Sequence, residues 1–98
     1  IVNTGATIDH DCKVADFTHV SPGGHLSGNV TVGARSWLGT GSSVRQGIVI
    51  GSDVIVGAGS VVVKDVFDSH TVAGVPARIV GEAGCSQPSV TMDQLLID

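Results

Sequence analysis

His10 followed directly by Asp11 is the first pair in this chain with the makings of acid–base chemistry. An imidazole is the usual general base near neutral pH. A carboxylate beside it can hold one tautomer and stabilise the charged form, as base and orienter do in a catalytic triad. Neighbours in a regular strand face opposite ways, so the two side chains meet only where the chain bends. His19 follows nine residues later, in Asp16-Phe17-Thr18-His19-Val20-Ser21-Pro22-Gly23, while His25 and His70 lack such surroundings and read as surface residues. Cys12 and Cys85 have no metal or redox spacing, and Cys12 reads as a small buried apolar residue. Gly57-Ala58-Gly59 lacks the strand–loop–helix setting of a phosphate loop.

The elements that must position these residues are written in a period of six. Val2, Ile8, Val14, Val20, Leu26, Val32, Leu38, Val44, Ile50, Val56 and Val62 are all branched aliphatics, with no stop skipped. Neither helical nor strand periodicity produces such a run. A fixed short period marks a solenoid, and six points to a parallel β-helix of hexapeptides, each giving one short strand and one turn. The lead aliphatic points inward, worth roughly 1.5–3 kcal/mol when fully buried. Gly, Ala or Asp often follows the lead, and a small or β-branched residue usually stands four places on; both suit tight corners, where glycine accepts positive φ. The period breaks at Asp68, where an inward aliphatic is due, and the residues from Gly81 read as a tail with a docking segment at Leu95-Leu96-Ile97.

Composition narrows the class. The chain has 98 residues, a net charge of −4 and few aromatics, so it reads as one domain without a nucleic-acid face. No apolar run is long enough to span a membrane, no signal peptide is expected, and the cysteine usage fits a reducing cytoplasm. The chain begins at Ile1, already in phase, and reads as a piece of a longer protein. The narrow body favours oligomerisation.

These hexads resemble the left-handed β-helix of the hexapeptide acyltransferases, in which three hexads make one triangular turn and residues eighteen apart stack in columns. The left hand is implied by the resemblance alone. The expected fold is all-β: about three and a half coils of left-handed parallel β-helix over residues 1–66, a closing segment over 67–80 containing Gly74-Val75-Pro76-Ala77-Arg78, and an irregular tail over 81–98. The column rule stacks His10, Gly28, Gln46 and Lys64, leaving a glycine beside an imidazole, where a substrate could approach. It also stacks Ile1, His19, Trp37 and Ile55, an outward apolar stripe expected to be an oligomer contact. Some β-helices of this class resemble gamma-type carbonic anhydrases, but His10, His19 and His25 lack the zinc spacing, so no metal is expected.

The set His10-Asp11, Asp16 to Gly23, Leu26-Ser27-Gly28-Asn29-Val30, Gly57 to Val62, Lys64-Asp65 and Gly74 to Arg78 is similar to a narrower family, the bacterial sialic acid O-acetyltransferases and N-acetyltransferases of nucleotide-linked 4-amino sugars. The resemblance covers about residues 1–80. It implies a homotrimer with acetyl-CoA in the groove between neighbouring helices. His10 matches the family's general base and Asp11 its acidic partner, often Glu in the family; His19 matches the contact to the acetyl end. Gly28, Thr40, Gly57 and Ala58 would line the cofactor path, and Lys64 and Arg78 are candidates for its phosphates. The implied activity is direct acetyl transfer to an amine or hydroxyl of a sugar or sugar nucleotide. The family's usual N-terminal α/β domain is absent from this chain. The alternatives are a non-catalytic trimeric β-helix and an acyltransferase with another acyl donor.

Overall fold

The computed structural model describes residues 1–82, so the expectations for Cys85 and for Leu95 to Ile97 lie outside the described residues. It contains strands and turns and, among the described residues, no helix, hence no helix long and apolar enough to cross a membrane. Ten two-residue strands come first: β1 (Thr7–Ile8), β2 (Lys13–Val14), β3 (His19–Val20), β4 (His25–Leu26), β5 (Thr31–Val32), β6 (Trp37–Leu38), β7 (Ser43–Val44), β8 (Val49–Ile50), β9 (Ile55–Val56) and β10 (Val61–Val62). β11 (His70–Ala73) and β12 (Arg78–Glu82) follow as an antiparallel pair.

Strands three apart in the chain pair in parallel, so each coil turns through three sheets. The registers Thr7↔His25, Lys13↔Thr31 and His19↔Trp37 are each eighteen residues apart. Every coil therefore repeats the face of the one before it, and the leads converge on one axis. Val20, Leu38 and Val56 are fully buried in one column and Val32 and Ile50 nearly so in another. Val2 and Ile8, in the first coil, stay 51% and 38% exposed.

The positive φ of the corners lies at the third residue after the lead. Gly5, Asp11, Phe17, Gly23, Asn29, Arg35, Gly41, Gly47, Asp53 and Gly59 follow one another at intervals of six, with φ between 57° and 77°. The glycines one place after the lead do different work. An added Cβ at Gly39 would stand 2.6 Å from the Val56 carbonyl oxygen, so that glycine lets adjacent coils touch. Side chains four places after the lead tie coils together: Cys12 Sγ donates to the Ser27 carbonyl at 3.1 Å, Thr18 Oγ1 to Gly33 at 2.9 Å and Ser36 Oγ to Gly51 at 2.8 Å.

The break at Asp68 is a turn shortened by two residues. Val66 bridges Ile50 and Val72 pairs with Val56, each sixteen apart. Val66 takes the inward place, and Asp68 instead accepts the Ser52 N–H at 2.8 Å. The stack so reaches about four turns, because β11 continues the sheet of β3, β6 and β9.

Candidate active site

His10 and Asp11 occupy the corner between β1 and β2. The left-handed backbone of Asp11, φ 60°, supplies the bend that adjacent side chains need in order to meet. Asp11 Oδ2 lies 3.2 Å from His10 Nδ1. With the carboxylate on Nδ1, the proton sits there and Nε2 is left as the acceptor. Both side chains are largely exposed, at 68% and 74%. An exposed pair of this kind contributes about 0.2–1 kcal/mol, enough to orient a ring.

Gly28 sits one coil further on, in the corner between β4 and β5, and the imidazole lies directly on it. A Cβ built there would stand 2.7 Å from both Cε1 and Nε2 of His10. The expected open place is thus filled by the ring itself, and Gly28 acts by letting the base settle against the coil. The Asn29 N–H fixes the same junction, donating to the His10 carbonyl at 3.0 Å.

His19 lies on β3, around the prism from His10. Its ring stacks on Trp37 of β6, with centroids 4.0 Å apart and planes 11° from parallel. Its Nε2 meets the side-chain amide nitrogen of Asn3. Burial pushes its pKa below the ordinary imidazole value. Column arithmetic finds Trp37 but misses Asn3, which is sixteen residues from His19 and so stands off the column.

The outward column is exposed at Ile1, 76%, but is not the continuous exposed stripe expected from sequence. Trp37 is 6% exposed and Ile55 0% within the single chain. The His19 ring lies on Trp37, and β11 continues the sheet beside Ile55. An oligomer contact through Trp37 and Ile55 therefore loses its basis.

Thr40, Gly57 and Ala58 lie on another edge. Thr40 stands in the corner between β6 and β7, and Gly57 and Ala58 in the equivalent corner between β9 and β10. They pack on one another, since the Gly59 N–H donates to the Thr40 carbonyl at 2.8 Å, but they share no corner with His10. Lys64 returns to the His10 edge three coils on, roughly 14 Å away at about 4.8 Å per coil. It shares a cleft of about 250 Å³ with Arg78, walled by Val62, Val66, Phe67 and Val72. No group of three or more His, Cys, Asp or Glu able to hold a metal occurs among the described residues. His25 is exposed and bonded to Thr7 Oγ1 at 2.7 Å.

Comparison with known proteins agrees with the repeat. Residues 29–64 match the bacterial transferase hexapeptide (six repeats) family model. A perosamine N-acetyltransferase from Caulobacter crescentus, solved with CoA and GDP-perosamine, superposes with a TM-score of 0.80 at 50% identity, over 82% of this chain and 38% of that one. The acetyltransferase domain of PglB from Neisseria gonorrhoeae, solved with acetyl coenzyme A, gives 0.79 at 52%, over 81% and 40%. Among curated proteins, the serine acetyltransferase of Salmonella typhimurium is 36% identical over 96 residues, 96% of this chain and 35% of that protein. The chain thus spans well under half the length of these relatives. Its period and its parallel coils are those of a hexapeptide-repeat β-helix, and the chain is similar over that part to the bacterial transferases that carry it.

Proposed function

We propose that this chain is the β-helical part of an acetyl-CoA-dependent acetyltransferase acting on an amine or hydroxyl of a sugar or sugar nucleotide. One observation carries the reading: an imidazole seated on a bare glycine, with its Nδ1 held by a carboxylate and its Nε2 left as acceptor. The relatives solved with CoA and GDP-perosamine or with acetyl coenzyme A support the donor and the acceptor class.

Bound acetyl-CoA would supply an activated thioester. Nε2 of His10 takes the proton from the acceptor nitrogen or oxygen as that atom attacks the thioester carbonyl, and returns it to the departing thiolate. Asp11 keeps the ring oriented and offsets its positive charge in between. His19 meets the acetyl end, Gly28, Thr40, Gly57 and Ala58 line the donor's path, and Lys64 and Arg78 face its phosphates. Because His10 and the Thr40–Ala58 corner lie on different edges, the path is completed between neighbouring copies in a homotrimer. A cytoplasmic location fits the donor.

Calorimetric titration with acetyl-CoA, with mass by light scattering, tests the assembly: about one ligand per chain on a trimer is expected, and a well-formed trimer that binds none overturns the reading. For the base, His10→Ala should lower transfer to an amino-sugar nucleotide by roughly 10²–10⁴-fold. Unchanged kcat in an intact assembly removes His10 from that role.

A further inference from the structure

His19 is held more firmly than a surface histidine. One face of its ring lies 4.0 Å from Trp37, nearly parallel, and one ring nitrogen is engaged by a side chain from the preceding coil. An amide nitrogen can only donate, so Nε2 of His19 must accept, and a neutral ring that accepts there carries its proton on Nδ1. Trp37 acts through its ring face: its Nε1 is buried and has no hydrogen-bond partner among the described residues. Both neighbours are built into the coil. Trp37 is the register partner of His19. Asn3 is fixed by its own N–H, which donates to the Val20 carbonyl at 2.9 Å.

We propose that Trp37 and Asn3 are positioning residues that hold His19 protonated at Nδ1 alone, making it a fixed hydrogen-bond donor where His10 is the proton acceptor. Two histidines nine residues apart are thereby given opposite tasks by their surroundings. His10, with a carboxylate on Nδ1, offers a lone pair at Nε2. His19, with an amide on Nε2, offers a proton at Nδ1. Trp37 keeps the ring from rotating out of that plane, and the ring's burial disfavours a second proton. A donor suits a carbonyl oxygen that gains negative charge during acyl transfer. This use rests on the proposed activity; the protonation pattern does not.

Nitrogen-15 NMR of the full chain tests the protonation pattern without substrate. In the parent protein His19 should show a protonated Nδ1 and an unprotonated Nε2 at pH 7.5. Asn3→Ala, a change at a partly exposed residue, should shift the ring toward the opposite tautomer. Trp37→Leu should broaden the His19 signals, and Trp37→Phe, which keeps a stacking face, should restore them. An Nε2-protonated His19 in the parent, or a tautomer unmoved by Asn3→Ala, overturns the proposal. Kinetics then separate it from the underlying activity. Asn3→Ala should lower kcat for acetyl transfer by about 10²-fold, the lower end for one lost hydrogen bond to a developing charge, with KM for the acceptor little changed. A tautomer that shifts while kcat stays constant would leave the clamp standing and remove His19 from the acyl site.

Discussion

Replacing Gly28 by Ala separates the positioning of the base from the building of the coil. The added methyl would stand 2.7 Å from Cε1 and Nε2 of His10, against 3.4–4 Å for ordinary contact. The ring must therefore retreat by about 1 Å. It can do so cheaply, since the His10 side chain is 68% exposed and its one side-chain partner, Asp11, is exposed as well. The backbone at Gly28 is not in the left-handed region, so alanine fits there and restricts the unfolded chain, which stabilises by about 0.4–1 kcal/mol. Stability should thus stay within about 1 kcal/mol of the parent. Catalysis should not: a 1 Å misplacement of a reacting group costs about 10²-fold, close to 2.7 kcal/mol of barrier. The assay is kcat for acetyl transfer beside the melting temperature, with the His10 ring signals as a substrate-free check. Unchanged kcat alongside moved ring signals would refute the role given to the ring's seat. A fall of more than about 8 °C in melting temperature would show instead that Gly28 serves the coil.

Other expectations follow from the same geometry. Asp11→Asn should lower kcat by less than about 10-fold, because the His10–Asp11 pair is largely exposed and such pairs contribute about 1 kcal/mol at most; a loss as large as that of His10→Ala refutes this. Gly47→Ala meets no neighbouring atom but forces alanine into φ +77°, so it should lower the melting temperature by about 4–8 °C, and an unchanged value would show that the corner relaxes freely. Because His19 is held below its ordinary pKa, the unfolded chain takes up that proton first as pH falls. The stability tied to this group is then complete above about pH 6.5 and declines below it. Melting temperature should fall less between pH 7.5 and 5.5 in His19→Gln than in the parent, and equal losses would refute the assignment.

Much of the fold is written in the chain because a solenoid repeats its own contacts. The inward leads could be named from Val2 to Val62, and the eighteen-residue step found both His10 above Gly28 and His19 above Trp37. The corner conformation was harder to read. Half of the ten left-handed positions from residue 5 to residue 59 carry Asp, Phe, Asn or Arg in place of glycine, so glycine alone does not mark them. The glycines that do stand out one place after the lead, such as Gly39, answer to the crowding of the next coil. Where the turn shortens to sixteen residues at Val66, the column rule stops applying. It therefore could not foresee that Lys64 and Arg78, fourteen apart, line one cleft once β12 folds back on β11.

The site resists a sequence reading for a related reason. A repeat of eighteen reports what lies along one column and is silent about what faces one column from outside. His10 and Gly28 share a column and could be paired by arithmetic. Thr40 and Ala58 also share one, on an edge the coil turns away from His10. A rigid prism cannot bring two of its own edges together, whatever its side chains do. Only a second prism laid against the first can place such edges across one groove, so the proposed activity requires assembly. A concentration series therefore bears directly on the chemistry: acetyl transfer per chain should fall as the assembly is diluted apart, in step with its mass. Constant activity per chain through dissociation to monomers would mean that His10 works with residues of its own edge alone, and Thr40, Gly57 and Ala58 would leave the site.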